Sequence, residues 1–162
     1  MSESSTHMSS LVRLSQGDLA GWDGIDSTWT KEDVDHVLPL VTDGDPHQPD
    51  NGPVDYAKTA GAPNGLTVHY DSARISYVTI YGPRLVQTMP DALGEPEMVL
   101  RSGLEGAHEQ WAYPGRGITT HMDVSANVVV WLYAYPPMST EDYVDSTLAR
   151  ARTLRHRVRG EN

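Results

Sequence analysis

Between Leu66 and Asp71 apolar and polar side chains alternate, with Leu66, Val68 and Tyr70 set against Thr67, His69 and Asp71. Successive strand residues point to opposite faces, so this period of two predicts a half-buried strand. Ser72, Ala73 and Arg74 form a short turn, and a second β-prone run from Ile75 to Tyr81 ends at Gly82-Pro83. Together they predict a β-hairpin. The pattern returns 52 positions later: Gly65-Leu66-Thr67-Val68-His69-Tyr70-Asp71 recurs as Gly117-Ile118-Thr119-Thr120-His121-Met122-Asp123, with Gly, Thr, His and Asp in the same places. The run Val128-Val129-Val130-Trp131-Leu132-Tyr133-Ala134-Tyr135 follows it and ends at Pro136-Pro137. Matching Tyr81-Gly82-Pro83 to Tyr135-Pro136-Pro137 moves the offset to 54, which places a two-residue insertion in the second turn. The chain reads as an internal duplication, its length change confined to a loop.

Helical spacing appears elsewhere. Thr30 stands as an N-cap before Glu32 and Asp33, and Val34, Val37 and Leu38 make one apolar face that Pro39 should end. A second helix is predicted from Arg84 through Leu85, Val86 and Met89 to Leu93-Gly94-Glu95-Pro96, where Gly and Pro stop it. A third, capped by Ser139, carries a stripe of Val144, Leu148, Ala151, Leu154 and Val158. Glu109 to Tyr113 reads as a further strand. The acidic stretch from Asp43 to Pro53 begins like an EF-hand loop but has Gln48 where the sharp turn needs Gly, so it reads as solvated. The predicted class is α+β: two tandem units of a helix plus an antiparallel hairpin or three-stranded sheet, with a C-terminal helix. The divisions are an N-terminal segment 1–26 with a disordered start, a first unit 27–83, a second 84–137, and a helix with a basic tail 138–162.

Composition narrows the chemistry. The 162 residues include no cysteine, which removes disulfides and thiolate sites, so any metal would rest on His and carboxylates. Twelve basic against 22 acidic residues give a formal charge of −10, which disfavours nucleic acid and anionic lipid as partners of the bulk surface. Five arginines between Arg150 and Arg159 form a cationic tail, read as lying on the acidic body. With no signal-like or membrane-length apolar run, the expected location is cytoplasmic, with no membrane partner.

The order of a capped helix, Leu93-Gly94-Glu95-Pro96, the aromatic strand Glu109-Gln110-Trp111-Ala112-Tyr113 and two more strands resembles the small outer-membrane assembly lipoproteins of the SmpA/BamE type. It is also similar to the β-lactamase inhibitory proteins, which carry two such helix-plus-sheet units in tandem. The resemblance covers 84–135 better than 27–81 and lacks the inhibitors' cysteines. What it implies is a non-catalytic module that binds a protein through a sheet face.

The repeated Thr-x-His-x-Asp is the candidate for chemistry. Thr67, His69 and Asp71 share one strand face, as do Thr119, His121 and Asp123. A carboxylate beside an imidazole can make it a general base, so His69, His121, Asp71 and Asp123 are the candidate catalytic residues. If the copies met, two nitrogens and two carboxylates would suit a divalent metal, as in tandem enzymes of the vicinal-oxygen-chelate kind. The plainer reading is that duplication copied surface residues. A second set, Ile75, Tyr77, Thr79 and Tyr81 with Val129, Trp131, Tyr133 and Tyr135, forms an aromatic stripe that Trp111 and Tyr113 would extend. The binding set is Thr67, Thr119, Tyr77, Tyr81, Trp111, Trp131, Tyr133 and Tyr135. No phosphate loop, nucleophile elbow or His-Glu-x-x-His occurs. The expectation is a small binding protein, of inhibitor or immunity type, for a protein or small organic ligand and without a cofactor. The alternative is an enzyme using His/Asp acid-base or metal-assisted chemistry.

Overall fold

In the computed structural model of the chain, residues 10–38 and 51–151 are described. The alternating runs pair into one antiparallel sheet of seven strands: β1 (Gly52–Tyr56), β2 (Leu66–Asp71), β3 (Arg74–Tyr81), β4 (Met98–Arg101), β5 (Glu109–Tyr113), β6 (Ile118–Asp123) and β7 (Val128–Ala134). Their spatial order is β1-β2-β3-β7-β6-β5-β4. The first three strands and the last four are thus two meanders joined where β3 meets β7. The short strands β1 and β4 lie at the edges, where few backbone groups go unpaired, and Pro53 in β1 lacks an N–H altogether.

Both long hairpins shift register at the same place, between His69 and Tyr70 and between His121 and Met122. His69 faces Tyr77 while Tyr70 faces Ile75, so Ser76 is the extra residue; His121 faces Trp131 while Met122 faces Val129, which leaves Val130. A bulge reverses the alternation of faces beyond it. Ile75 therefore packs in the core, with Val129 against its edge, while Tyr77 and Trp131 point the other way. The sequence expectation that Ile75 and Val129 join the aromatic stripe is corrected by these bulges.

One face of the sheet is covered by the N-terminal chain. Helix α1 (10–15), helix α2 (Lys31–Val37) and the chain between them bring Leu11, Leu14, Trp22, Trp29 and Val34 into one core with Val54, Leu66, Val68, Val78 and Ile80. Burying each such side chain is worth about 1.5–3 kcal/mol, so this layer carries much of the fold. Thr30 caps α2 as its sequence implies: its side chain accepts the Asp33 N–H, and the Asp33 carboxylate accepts the Thr30 N–H. The layer is tied down by Trp22, whose Nε1–H donates to the Arg116 carbonyl at 2.8 Å while Arg116 Nε donates back to the Trp22 carbonyl at 2.9 Å. It is also tied at Gly61, whose N–H donates to Ser15 and whose carbonyl accepts from Arg84. A Cβ on Gly61 would come within 2.1 Å of the Gly17 nitrogen, so only glycine permits the crossing.

The remaining helices are shorter than their sequence patterns suggest. Helix α3 (Met89–Leu93) starts at the Thr88 cap rather than at Arg84, because the Arg84 and Val86 N–H groups before it donate to the Gly61 and Gly17 carbonyls instead of into a helix. Helix α4 (Thr140–Asp145), capped by Ser139, stops at Ser146 and buries Tyr143, whereas Val144 is exposed. Leu154 and Val158 of the expected stripe, the Arg152–Arg159 part of the tail, and residues 39–50 of the acidic loop lie outside the described residues. Among the described residues no helix is long and apolar enough to cross a membrane.

Candidate functional site: a sheet face closed at one end and open at the other

The second face of the sheet carries the repeated polar triplets and the aromatic stripe. Over β5, β6 and the C-terminal end of β7 it is roofed. Tyr143 of α4 packs on Ala112 and Tyr135, and Met98, Leu100, Met138, Leu148 and Ala149 pack around them. Beneath this roof lies a buried polar network. The Tyr143 hydroxyl donates to Gln110 Oε1, Thr119 Oγ1 lies 2.6 Å from the Tyr135 hydroxyl and 3.1 Å from that of Tyr143, and Tyr135 donates to the Ile118 carbonyl at 3.1 Å. Gln110 Nε2 donates to the carbonyls of Arg101 and Ala149, clamping both edge strand and roof. Burial raises the pKa of Tyr143 to about 12 and raises that of Tyr135 as well. Thr119 and Tyr135, expected as surface binding residues, are therefore interior groups.

His121 belongs to this closed half. It is 1% exposed, and its Nδ1 lies 2.8 Å from Ser102 Oγ in the β4–β5 loop, a partner that no sequence spacing announces. Its Nε2 is buried with no hydrogen-bond partner among the described residues. Burial lowers its pKa to about 4, so the ring is neutral near pH 7.

Among the described residues the roof cluster takes no residue of β1 or β2, and from β3 only Tyr77 packs against its edge. His69 is half-buried and stacks on Tyr77, with ring centroids 4.1 Å apart and planes within 13°. Tyr77 stacks in turn on Tyr133 at 5.8 Å, and Tyr133 meets His121 edge-on at 5.4 Å. The four rings form a row across four adjacent strands. Tyr81, 51% exposed, meets Trp131 edge-on at 4.7 Å, and the Trp131 Nε1–H reaches the Glu105 carbonyl. Thr67 Oγ1 donates to Asp55 at 2.7 Å. Desolvation lowers the His69 pKa, opposed by the negative charge of Asp55. Burial, with Tyr77 beside it, raises that of Tyr133 to about 12.

The two histidines do not meet. Three strand spacings separate β2 from β6, roughly 14 Å, too far for one metal ion. Nor does either bond to the aspartate of its own triplet. Residues two apart on a strand stand about 6.5 Å from each other, and each carboxylate serves the turn that follows. Asp71 accepts from Ser72 Oγ; Asp123 accepts from Ser125 Oγ and the Ala126 N–H and faces His108 at 3.5 Å. These turn bonds, largest among them that of Ser125, lower the Asp123 pKa. Among the described residues no group of three His or carboxylate side chains is placed to hold a metal.

Trp111 departs from the expected set in a different way. It pairs with Thr120 on the helix-covered face, because Gln110 and Ala112 are the residues of β5 that share a face with Thr119 and His121. Tyr113 is on that face too, buried and donating to the Gly94 carbonyl. The aromatic surface outside the roof thus comprises Thr67, His69, Tyr81 and Trp131, with Tyr77 and Tyr133 half-buried at the roof's edge. No protein-family model, characterised protein or solved structure matches the chain. Fold and site together define an α+β protein on a single antiparallel sheet, with part of its aromatic face left uncovered by the described residues.

Proposed function

We propose that this is a small binding protein, an interaction module of inhibitor or immunity type, that engages a protein partner through the open part of the aromatic sheet face. The observation carrying this reading is the asymmetry of that face: it is roofed over β5, β6 and the C-terminal end of β7, yet beyond the roof it presents His69, Tyr81 and Trp131, with Tyr77 and Tyr133 half-buried at the roof's edge. Rigid rings ordered by stacking lose little entropy on contact and supply the anchors on which protein interfaces depend. The two-unit architecture belongs to the same proposal. In its support, both hairpins carry their bulge after the repeated histidine, and the second turn is two residues longer. Thr79 and Tyr133, equivalent under the 54-residue offset, stand opposite each other at the β3–β7 junction, as the centre of a two-fold arrangement requires.

The enzyme reading finds less support. Its His/Asp pairs are separated by the turn bonds described above, and the Nδ1 of His121 already faces Ser102 under a roof. Placing the photo-crosslinker p-benzoylphenylalanine at Tyr77, and separately at Glu32 on α2, tests the proposal in cells. A discrete adduct with one protein from position 77 and none from position 32 is expected. A substrate turned over by the pure protein, with turnover lost in folded His69→Ala or His121→Ala, would replace the proposal with the enzyme reading.

A further inference from the structure

On the opposite, helix-covered face the chain leaves a cavity of about 410 Å³ between the segment leading into α3 and strands β5, β6 and β7. Its apolar wall is Leu85, Met89, Trp111, Met122 and Val129. It lies toward the β6–β7 turn, where α3 and the strap before it stand above the sheet, whereas at the other end of β6 the N-terminal layer reaches Arg116 through Trp22. The volume lies in the range of small-molecule sites.

The polar groups of the wall decide what fits. Among the described residues no charged side chain lines the cavity. Gln87 is engaged at both ends, its Oε1 accepting from the Leu19 N–H and its Nε2 donating to Asp18, and Thr88 Oγ1 accepts the Asp91 N–H as the cap of α3. The Trp111 Nε1–H donates to Glu109 at 3.0 Å, which fixes the indole and sets a carboxylate beside it. Asn127 alone in the wall offers an amide with no partner among the described residues, held at φ +55° in the β6–β7 turn. From the cavity's volume, its neutral wall and this one free amide we infer that it binds an uncharged, flat, mainly apolar small molecule bearing a single hydroxyl or carbonyl group. The rings rest against Trp111 and the adaptable thioethers of Met89 and Met122, and the polar group meets Asn127. An anion is disfavoured by Glu109 and by the lack of a cationic side chain in the wall among the described residues.

N-phenyl-1-naphthylamine, a neutral fluorescent probe, tests the site against its sulfonated analogue 8-anilino-1-naphthalenesulfonate. The neutral probe is expected to bind one per chain with Kd on the order of 1–100 µM, and the anion at least ten-fold more weakly. Leu85→Trp, which fills the cavity from an irregular segment, should weaken the neutral probe at least ten-fold with the circular dichroism spectrum unchanged. Asn127→Gly keeps the positive φ and deletes the amide. It should weaken displacement by 1-naphthol about five-fold and leave 1-methylnaphthalene unaffected. Non-saturating binding, equal affinity for the anion, or undiminished affinity in both variants would overturn the assignment. So would a dimer by light scattering that Leu85→Trp dissociates, which would make a second copy of the chain the occupant.

Discussion

His69 and His121 occupy equivalent places in a repeated heptapeptide and lie on the same sheet face, yet one half-buried ring stacks on Tyr77 while the other is sealed 1% exposed against Ser102. Their substitutions should therefore have different consequences. His69→Ala removes one stacking contact and is expected to cost about 0.5–1 kcal/mol. His121→Ala opens a void and leaves Ser102 Oγ with only the Leu104 N–H, and is expected to cost about 2–4 kcal/mol. Urea unfolding of the two single variants measures both.

Acid should act through His121. The folded protein holds the ring neutral down to about pH 4, while in the unfolded chain it takes up a proton near pH 6.5. The unfolded state therefore binds more protons between those values, and stability falls as pH falls. The contribution is complete above about pH 6.5 and lost by about pH 4, on the order of 3 kcal/mol in all. His69, shifted in the same direction by its burial, adds to the trend. Urea midpoints measured across this window should slope less steeply in His121→Asn.

The roof is held by hydroxyl chemistry as well as by packing. Tyr143→Phe would leave Gln110 Oε1 buried without its donor, at an expected cost of about 1–3 kcal/mol. Because Gln110 also holds the Ala149 carbonyl, hydrogen exchange should quicken in residues 148–151 ahead of the sheet.

The first hairpin turn is strained. Ser72 and Ala73 have φ of 53° and 67°, the left-handed conformations of a two-residue turn that favours Asn-Gly. Ala73→Gly is expected to stabilise the protein by about 1 kcal/mol, since the left-handed cost of Cβ outweighs the entropy that glycine adds. A thermal melt with the Ala73 carbonyl bond to Lys31 still present by NMR would check it.

What the chain showed in its pattern was what depends on neighbours in sequence: the Thr30 and Ser139 caps, the alternation of β2 and β6, and the longer second turn. The edge strands were not legible. Gly52-Pro53 reads as loop until β2 supplies its partner, and β4 is only four residues long. The faces of β3 and β7 were misread at Ile75 and Val129 because a bulge is a property of pairing that neither strand encodes alone. The closing of His121 depends on Ser102, Tyr143 and the chain after α4. These lie far apart in sequence, which is why two identical triplets looked equivalent.

The accessible aromatic face is the central claim, and the affinity for the protein captured from position 77 tests it most directly. Isothermal titration with the purified partner should show Kd weakened about a hundred-fold or more by the His69→Ala/Tyr77→Ala pair, with both partners' folds intact. Val86→Ser, an exposed site outside the aromatic face, should leave it unchanged. An unaltered Kd for the pair, with loss of binding in Val86→Ser instead, would contradict the account.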